Sequence, residues 1–468
     1  MLSRLFKFLK VPNSGSTEAS GEASTEPARS EMATGSLSND DPNTQADSSV
    51  GNEANETATP SFMICREALL DKSNRVAGYS FSLNRSVGSR VRNSSELVQL
   101  LYDDVLIENI IRMDVRRLTG QRLIFIPLLP ASLERPPLSR LESKGVVLVI
   151  TDIGELLTKE EAYLKKIRSL KNEGFRIGVQ GDLSNIYLKK FLDVSDFVFI
   201  DIGEITLPVI KSTVEGIVTQ SSGKSIVASN IRALEEFHVC SKLPFHYFHG
   251  TFVSSRETWT APSMSEGRVK ILRLLNLIRQ DADTSELVQA FKLDPALSFK
   301  ILRYLNSPGM GFGTKVNTID QALLLIGRQN LYRWLTLLLF TSTSDGTLDL
   351  ALMENALIRA RLAELSARED LPKNERDELF VAGIFSLLDI LLRMPIETVL
   401  KQVNLPSQVE EALLNKSGKY SPYLELAIAC EESDQERIEM LSSRIGLTLP
   451  EINSLQTEAM VWADLINQ

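Results

Sequence analysis

The chain has 468 residues, 43% of them hydrophobic and 24% charged, with a net charge of −9. That length exceeds one ordinary domain, and the composition is that of a globular protein with sizeable cores. The acidic balance excludes a broad electrostatic grip on nucleic acid, so no nucleic-acid partner is expected.

Residues 1–10, MLSRLFKFLK, set Leu2, Leu5, Phe6 and Leu9 on one helical face and Arg4, Lys7 and Lys10 elsewhere. Two readings stand side by side: a helix that touches a membrane surface or a partner weakly, and a frayed end too short to nucleate in water. Residues 11–60 carry nine acids against Arg29 alone and almost no large apolar side chain. Such a segment cannot bury enough surface to offset its ordering entropy, and a disordered tether is expected. No apolar run reaches the length of about 18 residues that spans a bilayer, and the N-terminus lacks a secretory signal's apolar core. The three cysteines, Cys65, Cys240 and Cys430, form no CxxC pair. That fits a reducing compartment and argues against a disulfide framework or zinc knuckle, so a cytoplasmic location is expected.

Across residues 61–256 short apolar strands alternate with helical stretches. Strands are expected at Phe62–Arg66, Leu123–Leu128, Val146–Thr151, Arg176–Val179, Phe197–Ile202, Ser225–Ser229 and Tyr247–Phe252. Thr158 and Glu161 form a capping box for a helix that stops at Gly174. The unbroken apolar runs VVLVIT and FVFIDI suit a parallel sheet covered on both faces. This alternation predicts a TIM-like βα barrel.

After a connector around Ser254–Glu266 the pattern turns helical, and residues 257–468 read as an α-helical bundle. Asp294 caps a helix with Pro295 at its first position, and Leu297, Ile301 and Leu305 recur on one face. Thr318 and Gln321 form a second capping box before the run Ala322–Ile326, which Gly327 ends. Tyr304, Trp334 and the Leu335–Leu339 run are expected in the core.

Two segments resemble known families. Leu287–Leu335 resembles the core of an HDOD domain, with Asp294-Pro295-Ala296-Leu297, Asn306-Ser307 and Ala322 to Gly327 in the family's order. Phe380–Asp389 is similar to a later segment of some tandem EAL–HDOD proteins. Phe62–Arg256 resembles a degenerate form of the EAL fold of cyclic-di-GMP phosphodiesterases. GFRIGVQGDLS looks like "GFRIALDDFG", SDFVFIDI like "ADIVKIDI" and FHYFHGTFV like "FDYFQGYFF". The letters EAL at Glu67–Leu69 are out of register with the family motif.

Carried over motif by motif, the resemblance puts Ser80 at the EAL glutamate and Asn84, beside Arg85, at the phosphate-contacting arginine. Pro127 takes the ligand asparagine and Val149 the glutamate of the E-x-T-E segment. Gln180 and Gly181 take the paired aspartates, and Phe199 the lysine of KID. The later glutamates fall at Ser229 and Arg232, and His249 takes the glutamine of QGY. A two-metal hydrolase needs several oxygen ligands, and these positions carry no acid. Asp182 and Asp201 are read either as rescue ligands or as caps of the following helix, and Asp152 and Glu155 likewise.

HD-type phosphohydrolases, the relatives of HDOD, bind metal through histidines, yet all three histidines (His238, His246, His249) precede residue 250. Ser386 and Asp389 stand where an HD dyad would sit. His238, His246 and His249 with Cys240 match no metal spacing and are read as structural. GMGFG at Gly309–Gly313 is a turn, not a phosphate loop.

The expectation is therefore a protein that is not an enzyme, with no catalytic, cofactor-binding or metal residue and no cofactor. It would be a signal-transduction scaffold acting on unidentified protein partners, and the resemblance implies cyclic-di-GMP-linked control of motility, attachment or biofilm formation. Two alternatives remain open. One is a cyclic-di-GMP receptor without hydrolysis, for which Arg66, Arg85, Arg176 and Arg232 would supply a basic barrel mouth. The other is a phosphodiesterase with rearranged ligands.

Overall fold

A computed structural model describes residues 63–83, 95–113, 122–151, 160–181, 186–203, 206–220, 223–256, 265–307, 315–341 and 348–467. The expectations for residues 1–10 and 11–60, the caps at Thr158 and the turn at Gly309–Gly313 lie outside these residues. No helix among the described residues is long and apolar enough to cross a membrane.

Eight strands close into a barrel in chain order: β1 (Ile64–Asp71), β2 (Val76–Leu83), β3 (Leu123–Leu128), β4 (Val146–Ile150), β5 (Arg176–Gln180), β6 (Phe197–Asp201), β7 (Ser225–Ile231) and β8 (Tyr247–Gly250). Among the described residues five α-helices accompany them: α1 (Glu96–Arg112), α2 (Glu160–Asn172), α3 (Ile186–Val194), α4 (Leu207–Gln220) and α5 (Leu234–Cys240).

The parallel pairing expected for the apolar strands holds, and the barrel adds two antiparallel pairs to it. Strand β2, absent from the strands expected above, pairs antiparallel with β1 through a tight turn in which Asn74 takes φ 58°. Strand β1 also runs antiparallel to β8, while β2 through β8 pair parallel. No helix separates β1 from β2, so one outer face of the barrel is left for the C-terminal helices.

Strand β4 is buried along its whole length because both of its faces are covered, as its unbroken apolar run requires. Side chains that point into the barrel, among them Phe125, Val149, Phe197, Phe199 and Val227, form an apolar plug. Phe125 meets Phe197 and Phe199 edge to face, with ring centroids 5.3 and 5.8 Å apart.

The C-terminal part is helical throughout its described residues: α6 (Glu266–Arg279), α7 (Thr284–Lys292), α8 (Pro295–Leu305), α9 (Ile319–Ile326), α10 (Arg328–Thr341), α11 (Asp349–Ser366), α12 (Lys373–Phe385), α13 (Leu388–Leu392), α14 (Ile396–Leu400), α15 (Ser407–Leu414), α16 (Ser421–Glu432), α17 (Gln435–Ile445) and α18 (Leu449–Asn467). The capping chemistry is as the sequence predicts. Asp294 accepts from the Leu297 N–H at 3.0 Å, and Thr318 from the Gln321 N–H at 3.2 Å. Gly327 ends α9 at φ 72°. Tyr304 and Trp334 stack in the core with ring centroids 5.9 Å apart, and Leu335, Leu338 and Leu339 are fully buried beside them.

Candidate functional site at the mouth of the barrel

The C-terminal ends of the parallel strands open into a cavity of about 820 Å³ above the apolar plug. The motif positions converge there. Ser80, Pro127, Gln180, Gly181, Arg232 and His249 come from five strands or the turns after them, and all line this one cavity. Val149 and Phe199 lie beneath it inside the plug, and Ser229 is buried within β7. Such concave sites, mostly apolar beneath and polar at the rim, are where barrel folds bind small ligands.

Local chemistry fixes the rim. Asn230 ends β7 in the left-handed region at φ 63°, a conformation that asparagine tolerates better than most residues. Its side-chain amide donates to Asp201 Oδ1 at 3.0 Å, and its Oδ1 accepts from Arg232 Nε at 3.1 Å. Glu236 accepts from the backbone N–H of Arg232 and of Ala233 at 2.7 and 3.2 Å, which anchors the chain where the arginine leaves the strand. A chain of contacts from β6 to α5 thus holds one guanidinium over the cavity. Asp201 also accepts from the Gly203 N–H at 2.9 Å, so its Oδ1 carries two structural hydrogen bonds.

Strand β1 brings in a residue that the motif alignment set aside. Glu67 lines the cavity, stands directly across from Ser80 in the β1–β2 register, and lies 3.3 Å from His249 Nε2. A carboxylate therefore enters the mouth one strand away from the position that the EAL motif assigns to glutamate. Only the antiparallel pairing puts it there, and that pairing leaves no mark on the local sequence. From α1, Tyr102 and Asp103 also reach the rim. Asp103 accepts from the Leu129 N–H at 2.9 Å and the Ser132 hydroxyl at 2.5 Å, which ties it to the turn after β3.

Three of the four arginines expected at a basic mouth are among the described residues. Arg232 alone of the described three lines the cavity. Arg66 points outward and sits 5.3 Å from the Tyr79 ring centroid, because successive strand residues face opposite ways. Arg176 begins β5, at the end of the barrel away from the mouth. Arg85, like Asn84, Asp152, Glu155 and Asp182, falls outside the described residues.

Among the described residues no group of three or more His, Cys, Asp or Glu is placed to hold a metal ion. Val149 and Phe199, at two of the motif positions, put hydrocarbon rather than polar atoms beneath the cavity. At the position of the HD dyad, Ser386 Oγ accepts from Arg359 at 2.8 Å, and Asp389 pairs with Arg256 at 2.7 Å.

Comparison with known proteins matches an HDOD domain to residues 261–406. The helices continue beyond that match to Asn467. A protein of Vibrio cholerae named cyclic di-GMP phosphodiesterase CdgJ is 23% identical over 407 residues, covering 86% of this chain and 93% of the relative. YuxH of Bacillus subtilis, an uncharacterized protein, is 23% identical over 408 residues, covering 85% of this chain and 97% of its own.

Among solved structures, a calcium and cyclic-di-GMP complex of BlrP1 from Klebsiella pneumoniae aligns with a TM-score of 0.34 at 16% identity. It covers 41% of this chain and 54% of BlrP1, so this chain spans about half of that protein. A cyclic-di-GMP-bound standalone EAL protein of Vibrio cholerae O395 aligns at 15% identity with a TM-score of 0.34, over 40% of this chain and 89% of its own.

The expectation that the chain is not an enzyme is overturned here, since the relative CdgJ, matched over 93% of its length, is named a phosphodiesterase. Residues 261–406 thus match an HDOD domain, and a closed eight-stranded barrel precedes them in the chain.

Proposed function

We propose that this chain works in cyclic-di-GMP signalling by binding cyclic-di-GMP at the mouth of its barrel. The observation that carries the reading is the convergence of Ser80, Pro127, Gln180, Gly181, Arg232 and His249 on one cavity of about 820 Å³. The residues lining it suit such a ligand. The Arg232 guanidinium offers paired donors to a phosphate. The amides of Gln180 and Asn230 and the hydroxyls of Ser80, Thr151 and Thr251 offer donors and acceptors to a base edge or ribose.

Equilibrium dialysis of the full chain against cyclic-di-GMP, with Mg²⁺ and Mn²⁺ present, tests it when the nucleotide on both sides is then resolved by chromatography. Enrichment on the protein side is expected, weakened about tenfold or more by Arg232→Ala, which removes a charge-assisted contact. Equal concentrations of intact nucleotide on both sides would overturn the proposal. The name of CdgJ favours a second reading, hydrolysis at this same mouth. Appearance of the linear dinucleotide, lost together with binding in Arg232→Ala, would support it.

A further inference from the structure

The face of the barrel that lacks a helix is covered by the C-terminal helices, and the polar groups at that seam are buried or largely covered. Ile64, at the start of β1, donates its N–H to Asn453 Oδ1 of α18 at 3.1 Å. The Tyr79 hydroxyl of β2 donates to Glu354 of α11, which is 3% exposed. Arg122, just ahead of β3, donates to the Tyr79 oxygen at 3.1 Å and to Glu354 Oε2 at 3.0 Å, and pairs with Asp464 of α18 at 2.8 Å. Burial, with the Glu354 carboxylate beside it, pushes the Tyr79 phenol well above its ordinary pKa and keeps it a donor.

These groups sit one residue from the mouth. In β2, Tyr79 faces the seam and Ser80 the cavity, and in β1, Arg66 faces the seam and Glu67 the cavity. Because adjacent strand residues point to opposite faces of one stiff ribbon, the seam cannot shift at Tyr79 without moving Ser80 and its cross-strand partner Glu67. From Glu67 the contact passes to His249 on β8.

We infer that Glu354 of the helical part is a positioning residue for the barrel mouth, acting through Tyr79 and the β1–β2 pair to set where Glu67 and His249 stand. The state of the mouth and the state of the helical part are then linked, and by thermodynamic reciprocity each biases the other. The part of this inference that concerns ligand affinity rests on the cyclic-di-GMP reading. The mechanical part does not.

The test is hydrogen exchange by mass spectrometry on the full chain without ligand, comparing the natural protein with Tyr79→Phe and Glu354→Gln. Tyr79→Phe keeps the ring and removes only the hydroxyl, so it stays informative if Glu354→Gln folds poorly. Arg437→Gln is the control, since it cuts ion pairs to Glu425 and Glu432 within the helical part. Peptides covering Glu67 and His249 are expected to exchange about fivefold faster in both seam variants and to be unchanged in the control.

Unchanged exchange at His249 in Tyr79→Phe, or equal loosening in Arg437→Gln, would overturn the inference. Dialysis supplies the ligand arm, where Tyr79→Phe is expected to bind cyclic-di-GMP about fivefold more weakly. Failure of the natural protein to bind would remove the cyclic-di-GMP reading and leave the ligand-free comparison to decide the mechanical part.

Discussion

Asn230 shows how much one residue at the mouth holds. It occupies a left-handed backbone position and bridges Asp201 to Arg232 through the two ends of its amide. Asn230→Ala keeps a β-carbon in that conformation without the amide that makes it tolerable, and deletes both hydrogen bonds, at a cost of about 2 kcal/mol in urea unfolding. Asn230→Gly relieves the backbone and deletes the same bonds, so it should cost about 1 kcal/mol or less while weakening dinucleotide binding as much as Ala does. An unshifted urea midpoint for Asn230→Ala would show that the bridge contributes nothing. At this scale the sequence carried the frame of the site and not its contents. Six of the aligned motif positions do meet at one cavity, because strand spacing fixes which residues reach the barrel's end. Asn230 and Glu67 went unread because their roles depend on a backbone conformation and a cross-strand register, and neither has a local pattern.

Among the elements, β2 carries a strand pattern that a regular strand–helix alternation hides. Tyr79, Phe81 and Leu83 alternate with Ser80 and Ser82, a period of two, but the expectation that a helix follows every strand leaves no place for a hairpin. The strands that were expected are β1, through Phe62–Arg66, and β3 to β8, and among them β4 and β6 carry the apolar runs that declare burial on both faces. The last strand depends on a neutral histidine. His246, just ahead of β8, accepts from the Ile226 N–H through Nδ1 at 3.1 Å and donates its own N–H to Ile226 O at 2.8 Å. Burial, and then the charge of Lys72, hold the imidazole below its ordinary pKa of 6.5. With the folded value below the unfolded one, the unfolded chain binds protons first as pH falls. The contribution is complete above pH 6.5 and is lost as acidification proceeds toward the depressed folded value. Melting temperatures measured at pH 7.5 and 5.5 should therefore fall further for the natural protein than for His246→Asn, whose amide oxygen can accept the same hydrogen bond at both values. Equal falls would remove His246 from the acid response.

Across the whole molecule the order of the two domains was legible and their union was not. Composition and periodicity separate strand-rich from helix-rich sequence near residue 257. Nothing in either segment says that α18, at the far end of the chain, hydrogen-bonds to the first residue of β1 across 389 positions. That seam buries Tyr79 and Glu354 with the largely covered Arg122 beside them, and breaking it would leave a buried charge without its partner, which is strongly unfavourable. Barrel and helices should accordingly unfold as one cooperative unit. The buried cysteines distinguish the barrel from the seam: Cys240 lies in α5 of the barrel, while Cys430 of α16 lies near Cys65 of β1 at the seam. Burial raises the Cys240 thiol to a pKa of about 11 and pushes Cys430 up as well, so both react with a thiol reagent only after opening. Urea titration with pulsed thiol labelling should expose all three at one midpoint, coincident with the fluorescence change of Trp334 and Trp462 in the helical part. If Cys240 becomes reactive well before Cys430, the barrel opens on its own, and the helices cannot be holding its mouth in place.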